Sequence, residues 1–382
     1  MESHTLTGKN QSYNRAFNNE LVINALKEGS ASATTLSKRL SLSNAAMSSI
    51  LKDLASRGLI KVEKATSLTG KGRKQIEYVL NANYGLVVAV SIANYVCDIV
   101  VSNLKENILE SSSIDVPQYD AAAIYQIVLA ISKILLKPQY RDIPLRYILI
   151  SLPGRVNSRT GELAMSPQFD KEIFKSENFI RGVFQKQFPS VPVALANDLK
   201  LALVAERKKG GIVDGKNAML VSVDAGIGGA LSFNGSTFLG DQGYAGEFGL
   251  LHGGQPLPID EYVSLRALKE QAKSLTHEPQ VDTKRLVELF SSNADVKSAV
   301  LHSAEILGVA LHDAIELLDI STIVLSGRIA LFGESYLDAV KSQLVSLPTT
   351  PTIAFSRLGN DAASCGAITT AVAAVLSAAV EK

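Results

Sequence analysis

The stretch AMLVSVDAGIGGALSF, residues 218–233, reads as a strand, a glycine turn and a second strand. A mostly apolar run that breaks into Gly226, Gly228 and Gly229 puts a backbone turn at a strand end, where α/β folds carry their sites. Toward the N-terminus, RYILISLPG (146–154) and VPVALAN (191–197) are further strands that end in loops. Before them GLVVAVSIA, YVCDIVVSNL and NILESSSIDV form three consecutive strands with tight turns, and a helix is expected near Ala121 to Leu136. Toward the C-terminus the pattern predicts helices over about 260–273 and 296–318, a strand in STIVLSG (321–327), and closing helices around 331–345 and 361–380. The alternation predicts an α/β fold with its site on strand-end loops.

The first 82 residues follow a different pattern. Helical spacing starts near Asn18, with Leu21, Val22, Ala25 and Leu26 on one face, and stops at Gly29. Ser32 or Thr34 can cap a second helix with Leu36 and Leu40 inward. Ser43 caps a third, whose apolar positions are Met47, Ile50, Leu51 and Leu54 and whose C′ residue is Gly58. Two short helices joined by a tight connection make a helix-turn-helix. LIKVEKA (59–65) and TGKGRKQIEYVLN (69–81) then read as a strand, a turn and a returning strand, a β-wing. Near the start of the third helix the exposed positions are Ser43, Asn44, Ala45, Ser48, Ser49 and Lys52. Small hydroxyl and amide groups can approach base edges, and Lys52 can neutralise a phosphate. The wing tip, Gly70 followed by Lys71, Gly72, Arg73 and Lys74, suits a narrow minor groove. A winged helix used for protein contacts is the competing reading. Arg73→Ala is expected to weaken operator binding several-fold, and unchanged affinity in a gel-shift titration would remove the wing from the reading head.

Charge supports this division. The chain holds 38 Lys+Arg and 37 Asp+Glu, but residues 1–80 hold 12 basic and 6 acidic residues, leaving 26 and 31 for the rest. The balance hides a basic segment suited to DNA and an acidic body. Length predicts more than one domain, since a single core rarely grows past roughly 250 residues. Hydrophobic residues make up 46% of the chain, which excludes disorder as its main state. Two cysteines, Cys97 and Cys365, exclude a disulfide framework or a Cys-rich zinc site of their own and read as small apolar residues. His4, His277, His302 and His312 show no ligand spacing, so no metal is expected. The N-terminus has no signal-peptide pattern, and Ile368–Val380 reads as too short to span a bilayer. A soluble cytoplasmic protein with no membrane partner follows.

Taken in order, the three-strand start, SLPG, ALAND, DAGIGG, GYAGEFG and IVLSG resemble the ROK family of repressors, open reading frames and sugar kinases. The segments LSKRLSLSNAAMSSILKDL (36–54) and GKGRK (70–74) match the winged-helix extension of its repressor members. The resemblance runs over essentially the whole chain. It implies an α/β fold with an N-terminal winged helix-turn-helix followed by a two-lobed, actin-like (ribonuclease H-like) domain. The implied division is 1–82 for DNA and 83–382 for sugar. Lobe one covers about 83–197 plus the C-terminal helix, and lobe two about 198–365.

The resemblance also exposes departures. The kinases' first phosphate turn, Asp-x-Gly-Gly-Thr, is replaced by Ser91-Ile92-Ala93-Asn94-Tyr95. Their second, Gly-Thr-Gly-Ile-Gly, is replaced by Asp224-Ala225-Gly226-Ile227-Gly228, which puts a negative charge near any phosphate. Neither favours ATP, so no cofactor is expected. The sugar side matches better: Asn197 and Asp198 fall on the cleft pair, Gly154 on the glycine that lets the backbone approach the sugar, and Glu247 on an acidic sugar contact. Asp260 stands where the family has Glu. Asn197 and Asp198 can equally cap the helix that starts at Leu199. Leu250 replaces the zinc- and sugar-contacting His and the three zinc-loop cysteines are missing, while His252 either reaches the cleft or is solvated. Arg155 is a candidate for a phosphate on the sugar. The expected function is a DNA-binding regulator, acting as a repressor, of carbohydrate-metabolism genes. It binds operator DNA (palindromic or A·T-rich) as a homodimer or dimer of dimers and answers to a sugar or sugar phosphate. The alternatives are a sugar kinase with an extra domain and a regulator that answers to a partner protein.

Overall fold

The computed structural model describes residues 11–66, 75–93, 95–175, 178–212 and 216–381. The chain opens with three helices, α1 (Gln11–Glu28), α2 (Ala33–Leu40) and α3 (Asn44–Ser56). Between α1 and α2 lies a short strand, β1 (Ala31–Ser32); β2 (Ile60–Thr66) and β3 (Gln75–Leu80) follow α3. Helix α1 starts seven residues before the expected Asn18; its added first turns, QSYNRAF, do not continue the apolar face of Leu21, Val22, Ala25 and Leu26. Ser32, not Thr34, caps α2 by accepting the Thr35 N–H. Ser43 caps α3 through the Ala46 N–H, and Gly58 closes it at φ +73°. β1 pairs with β3 and β3 with β2, all antiparallel, so the wing is a three-stranded sheet.

A 3-10 turn at Ala82–Tyr84 leads straight into the first sheet of the body. Its strands are β4 (Leu86–Ala93), β5 (Val96–Asn103) and β6 (Ile108–Asp115) and, after α4 (Ala121–Leu135), β7 (Leu145–Leu152). The short ribbon β8 (Arg155–Val156) and β9 (Leu163–Met165) follows, then α5 (Phe179–Gln187) and β10 (Val193–Asn197). The strand order is β10-β7-β4-β5-β6, with β4, β5 and β6 antiparallel and β7 and β10 parallel to β4. β4 is buried on both faces until its last residue, as a central strand must be. Val88 and Val90 face Ile124, Ile127 and Ile131 of α4.

Helix α6 (Asp198–Lys209) carries the chain to a second sheet of β11 (Ala218–Val223), β12 (Ile227–Phe233) and β13 (Ser236–Phe238). Helices α7 (Asp260–Val263), α8 (Leu265–Thr276), α9 (Thr283–Ser292) and α10 (Ala294–Leu318) precede β14 (Thr322–Ser326). Then come α11 (Gly333–Ser342), β15 (Thr352–Phe355) and α12 (Ala362–Val380). The order β13-β12-β11-β14-β15 repeats that of the first sheet: three antiparallel strands, then two parallel ones beside the first. The expected single helix over 260–273 is two, because Ser264 leaves helical geometry and caps α8.

Both sheets lean on α6 and α12. α6 packs Ala202 and Leu203 against Leu220, Ala230 and Val324 of the second sheet. α12 packs Ala371 and Val372 under Val87 and Ala89 of the first. The two helices approach closely at Gly366, where a Cβ would collide with the Leu201 carbonyl. α12 corrects one expectation. Its helix runs for 19 residues and is long and apolar enough to cross a membrane, so the reading of this stretch as too short does not hold. Here it is a core helix, and the apolar cluster it belongs to continues into Val22, Leu26, Leu36 and Met47 of the N-terminal helices. The head is therefore packed onto the body by a shared core. On α10, Leu317 is 82% exposed.

Candidate functional site

The C-terminal ends of the parallel strands converge: β7 on Gly154, β10 on Asn197, β11 on Asp224 and β14 on Arg328. Asn197 caps α6, its Oδ1 accepting the Lys200 N–H at 3.1 Å. Its Nδ2 donates to the Gly154 carbonyl (3.0 Å) and to Asp198 Oδ1 (3.1 Å). The capping role is real, and the amide donors are taken by Gly154 and Asp198. Gly154 sits at φ +131°, and the space a Cβ would need holds the Met165 carbonyl, so its glycine is required by the neighbouring ribbon. Asp198 Oδ1 also accepts the Leu199 N–H at 2.9 Å. Removal from water lifts the Asp198 carboxyl to about 6, against those hydrogen bonds.

Facing it, the loop through Gly243–Gly249 folds back onto the first lobe. Arg155 Nη2 donates to Glu247 Oε2 at 3.1 Å and its guanidinium lies 5.7 Å from the Tyr244 ring centre. Lys200 Nζ donates to the Gly243 carbonyl. Burial pulls the Lys200 ammonium down, while the charges of Glu247 and Asp198 hold it up. The cleft thus alternates charge, with Asp198 and Glu247 as acceptors and Lys200 and Arg155 as donors. The Arg155 Nε is buried without a hydrogen-bond partner among the described residues. Such a set matches the hydroxyls of a sugar, each both donor and acceptor.

Two residues read as sugar contacts have other partners. Asp260 Oδ1 accepts the Ile227 N–H (2.7 Å) and Oδ2 accepts Arg266 Nη2 (3.0 Å), so it braces the glycine turn. His252 is exposed, and its Nδ1 lies 3.0 Å from the Gln255 carbonyl within its own loop.

The glycine turn is occupied from within. Asp224 accepts the Ala225 N–H (2.7 Å), the Arg328 N–H (3.3 Å) and Arg328 Nε (2.9 and 3.0 Å to its two oxygens), and also Arg328 Nη2. Arg328 Nη1 reaches Thr283 Oγ1 at 3.3 Å. Burial opposes the Asp224 charge, but Arg328 outweighs it and holds the carboxyl below its ordinary value. The charge foreseen at Asp224 is therefore neutralised by Arg328. What opposes a phosphate is that carboxylates already take the Ala225 and Ile227 N–H groups of the turn. Titration with Mg·ATP is expected to give no binding heat, with sugar or without; saturable heat would contradict this. Asn94 of the first turn lies outside the described residues.

On the head, Ser43, Asn44, Ala45, Ser48, Ser49 and Lys52 are all exposed, while Met47, Ile50, Leu51 and Leu54 are buried. Asp53 fixes the helix, paired with Arg15 of α1 at 3.1 Å and Arg57 at 3.2 Å. Lys71, Gly72, Arg73 and Lys74 lie outside the described residues. The sequence reading missed Lys200 and Arg328, which pair with residues distant along the chain.

The ROK family profile matches residues 87–374. The chain belongs to the ROK family. Among its relatives, this ROK protein is 20% identical over 334 residues to the putative xylose repressor of Caldicellulosiruptor sp. (strain Rt8B.4), covering 81% of this chain and 82% of that one. It is 27% identical over 221 residues to the xylose repressor of Staphylococcus xylosus, spanning 57% of this chain and 55% of that protein. Its fold is that of a ROK transcriptional regulator described as a homologue of the E. coli MLC protein (TM-score 0.80, 19% identity, 97% of this chain and 99% of that one). The ROK hexokinase of Thermus thermophilus superposes on 76% of this chain and 99% of its own (TM-score 0.64, 24% identity).

Proposed function

We propose that the protein is a DNA-binding transcriptional regulator, a repressor of carbohydrate-metabolism genes, that changes its hold on an operator when a sugar occupies the cleft. One observation carries the reading. A helix with an exposed polar face shares its core with a body whose cleft offers sugar-type acceptors and donors while its phosphate turn is filled from within. The repressor relatives support it. Residues 1–82 form the reading head and 83–382 the sugar-binding body. Lobe one is about 83–197 plus α12, and lobe two about 198–365. Asn44, Ser48 and Ser49 meet base edges, Ser43 and Ala45 allow close approach, and Lys52 with Lys71, Gly72, Arg73 and Lys74 meets phosphates and the minor groove. Asn197, Asp198 and Glu247 bind sugar hydroxyls, with Gly154 holding Asn197 and Asp260 holding the turn. In a kinase the carboxylate at Asp198 is a general base; here it is a hydroxyl acceptor. The protein is not an enzyme and works in the cytoplasm beside its DNA. A small head reads few bases, so a two-fold dimer on a palindrome doubles the contacts, with α10 as the packing face.

A calorimetric screen of D-xylose, D-glucose, N-acetylglucosamine and their phosphates tests the cleft. One of them is expected to bind. Heat from none would make the cleft vestigial and hand the signal to a partner protein.

A further inference from the structure

We propose that Glu106 is the positioning residue that couples the cleft to the reading head; the assignment rests on the regulatory reading above. Glu106 forms the turn between β5 and β6 at φ +60°, and its side chain is 4% exposed. Three other elements send donors to this one carboxylate. Lys27, in the last turn of α1, reaches Oε1 at 2.6 Å. Lys208 and Lys209, in the last turn of α6, reach Oε1 at 2.6 Å and Oε2 at 3.0 Å. Thr369 Oγ1 of α12 donates to Oε2 at 3.1 Å. Burial raises the Glu106 carboxyl, but the hydrogen bonds from Lys208, Lys27 and Lys209 outweigh it and bring it down to about 2.

The placement is what makes this a coupling device. α6 begins at Asn197 and Asp198 in the cleft and ends at Lys208 and Lys209. At 1.5 Å per residue its twelve residues span about 18 Å as one rigid rod. Lys27 belongs to the head. Lys27 and Lys208 share a single oxygen, so a tilt of α6 that moves Lys208 alters the hold on Lys27 directly. Three cations compete for one buried anion, so a shift of the carboxylate toward Lys208 and Lys209 weakens its hold on Lys27. A sugar that prefers one position of the α6 N-terminus would bias that shift.

The test uses full-length Lys27→Met, Lys27→Arg and Glu106→Gln. Sugar affinity is read by calorimetry with D-xylose, D-glucose and N-acetylglucosamine. Affinity for the DNA upstream of the protein's own gene is read by fluorescence anisotropy with and without each sugar. The wild type sets the sugar-induced ratio of DNA affinities. In Lys27→Met that ratio is expected to collapse to within about twofold of one while sugar affinity stays within about twofold of wild type. Lys27→Arg, which keeps the charge, is expected to restore most of the ratio. Glu106→Gln should lose the ratio as Lys27→Met does, and Lys27→Met covers the case in which it fails to fold. A wild-type ratio retained in Lys27→Met overturns the proposal. So does a fall in sugar affinity that tracks the lost ratio, since Lys27 would then act on the cleft itself. A wild type that binds neither these sugars nor the DNA fails the regulatory reading first, and the coupling with it.

Discussion

Asp198→Asn is expected to abolish the response to sugar while making the protein more stable. An ionised carboxylate that accepts from sugar hydroxyls contributes about 1.5–3 kcal/mol per bond. Its loss predicts a fall in sugar affinity of about 10- to 150-fold, taking tenfold per 1.4 kcal/mol. The stability effect follows from the same burial. The Asp198 carboxyl titrates near 6 in the fold, above its ordinary value of 3.8. A raised carboxyl favours folding in its protonated form, and that contribution is complete below the ordinary value and lost as pH rises through about 6. Asparagine mimics the protonated acid at every pH and still offers an oxygen to the Leu199 N–H. The variant should gain on the order of 1–2 kcal/mol at neutral pH. Its melting curve should converge with the wild type as pH falls toward the ordinary carboxylate value. Calorimetry and thermal denaturation across this range check both halves; unchanged sugar affinity would remove Asp198 from the site.

Ser48→Glu is expected to abolish operator binding without disturbing the fold. Ser48 is exposed on α3, between the buried Met47 and the exposed Ser49. Surface substitutions of this kind usually stay within about 0.5 kcal/mol in stability. Against DNA, a carboxylate faces phosphates and the acceptor-rich edges of the major groove, and like-charge juxtaposition costs several kcal/mol. Affinity should drop by about 100-fold or more at constant salt. A gel-shift titration at fixed ionic strength, beside a melting curve, measures both. Binding within twofold of wild type would place α3 away from the groove.

Local chemistry carried much of this architecture in the sequence. Val87–Ile92 and Met219–Val223 are apolar enough to be central strands, and the glycines after Asp224 announce the turn. Ser43 and Gly58 bracket α3 with cap chemistry that needs no tertiary context. Helix α1 was legible only from where its apolar face begins, and α5 and α9 were not read at all. Asn178 precedes α5 without a capping hydrogen bond, and Asp282, which caps α9, is a residue type as common in loops as at helix starts. The charge pairs were illegible for a different reason. Arg328 lies 104 residues from Asp224, Lys208 lies 102 from Glu106 and Lys27 lies 79 from it. No periodicity links such positions: the pairing of β11 with β14 brings Arg328 to Asp224, and the meeting of α1, α6 and α12 at the β5–β6 turn brings the lysines to Glu106. The same holds for Asp260: its place in the family pattern pointed to a sugar, and the fold gives its oxygens to Ile227 and Arg266.

In the proposed function one chain both reads DNA and senses a sugar. Fluorescence anisotropy on DNA upstream of the protein's own gene, with unrelated DNA as competitor and with each sugar of the screen, tests it most directly. The expected result is sequence-selective binding that weakens steeply with salt and shifts about fivefold or more when one sugar is added. Equal affinity for promoter and unrelated DNA, or selective binding that no sugar alters, would contradict it.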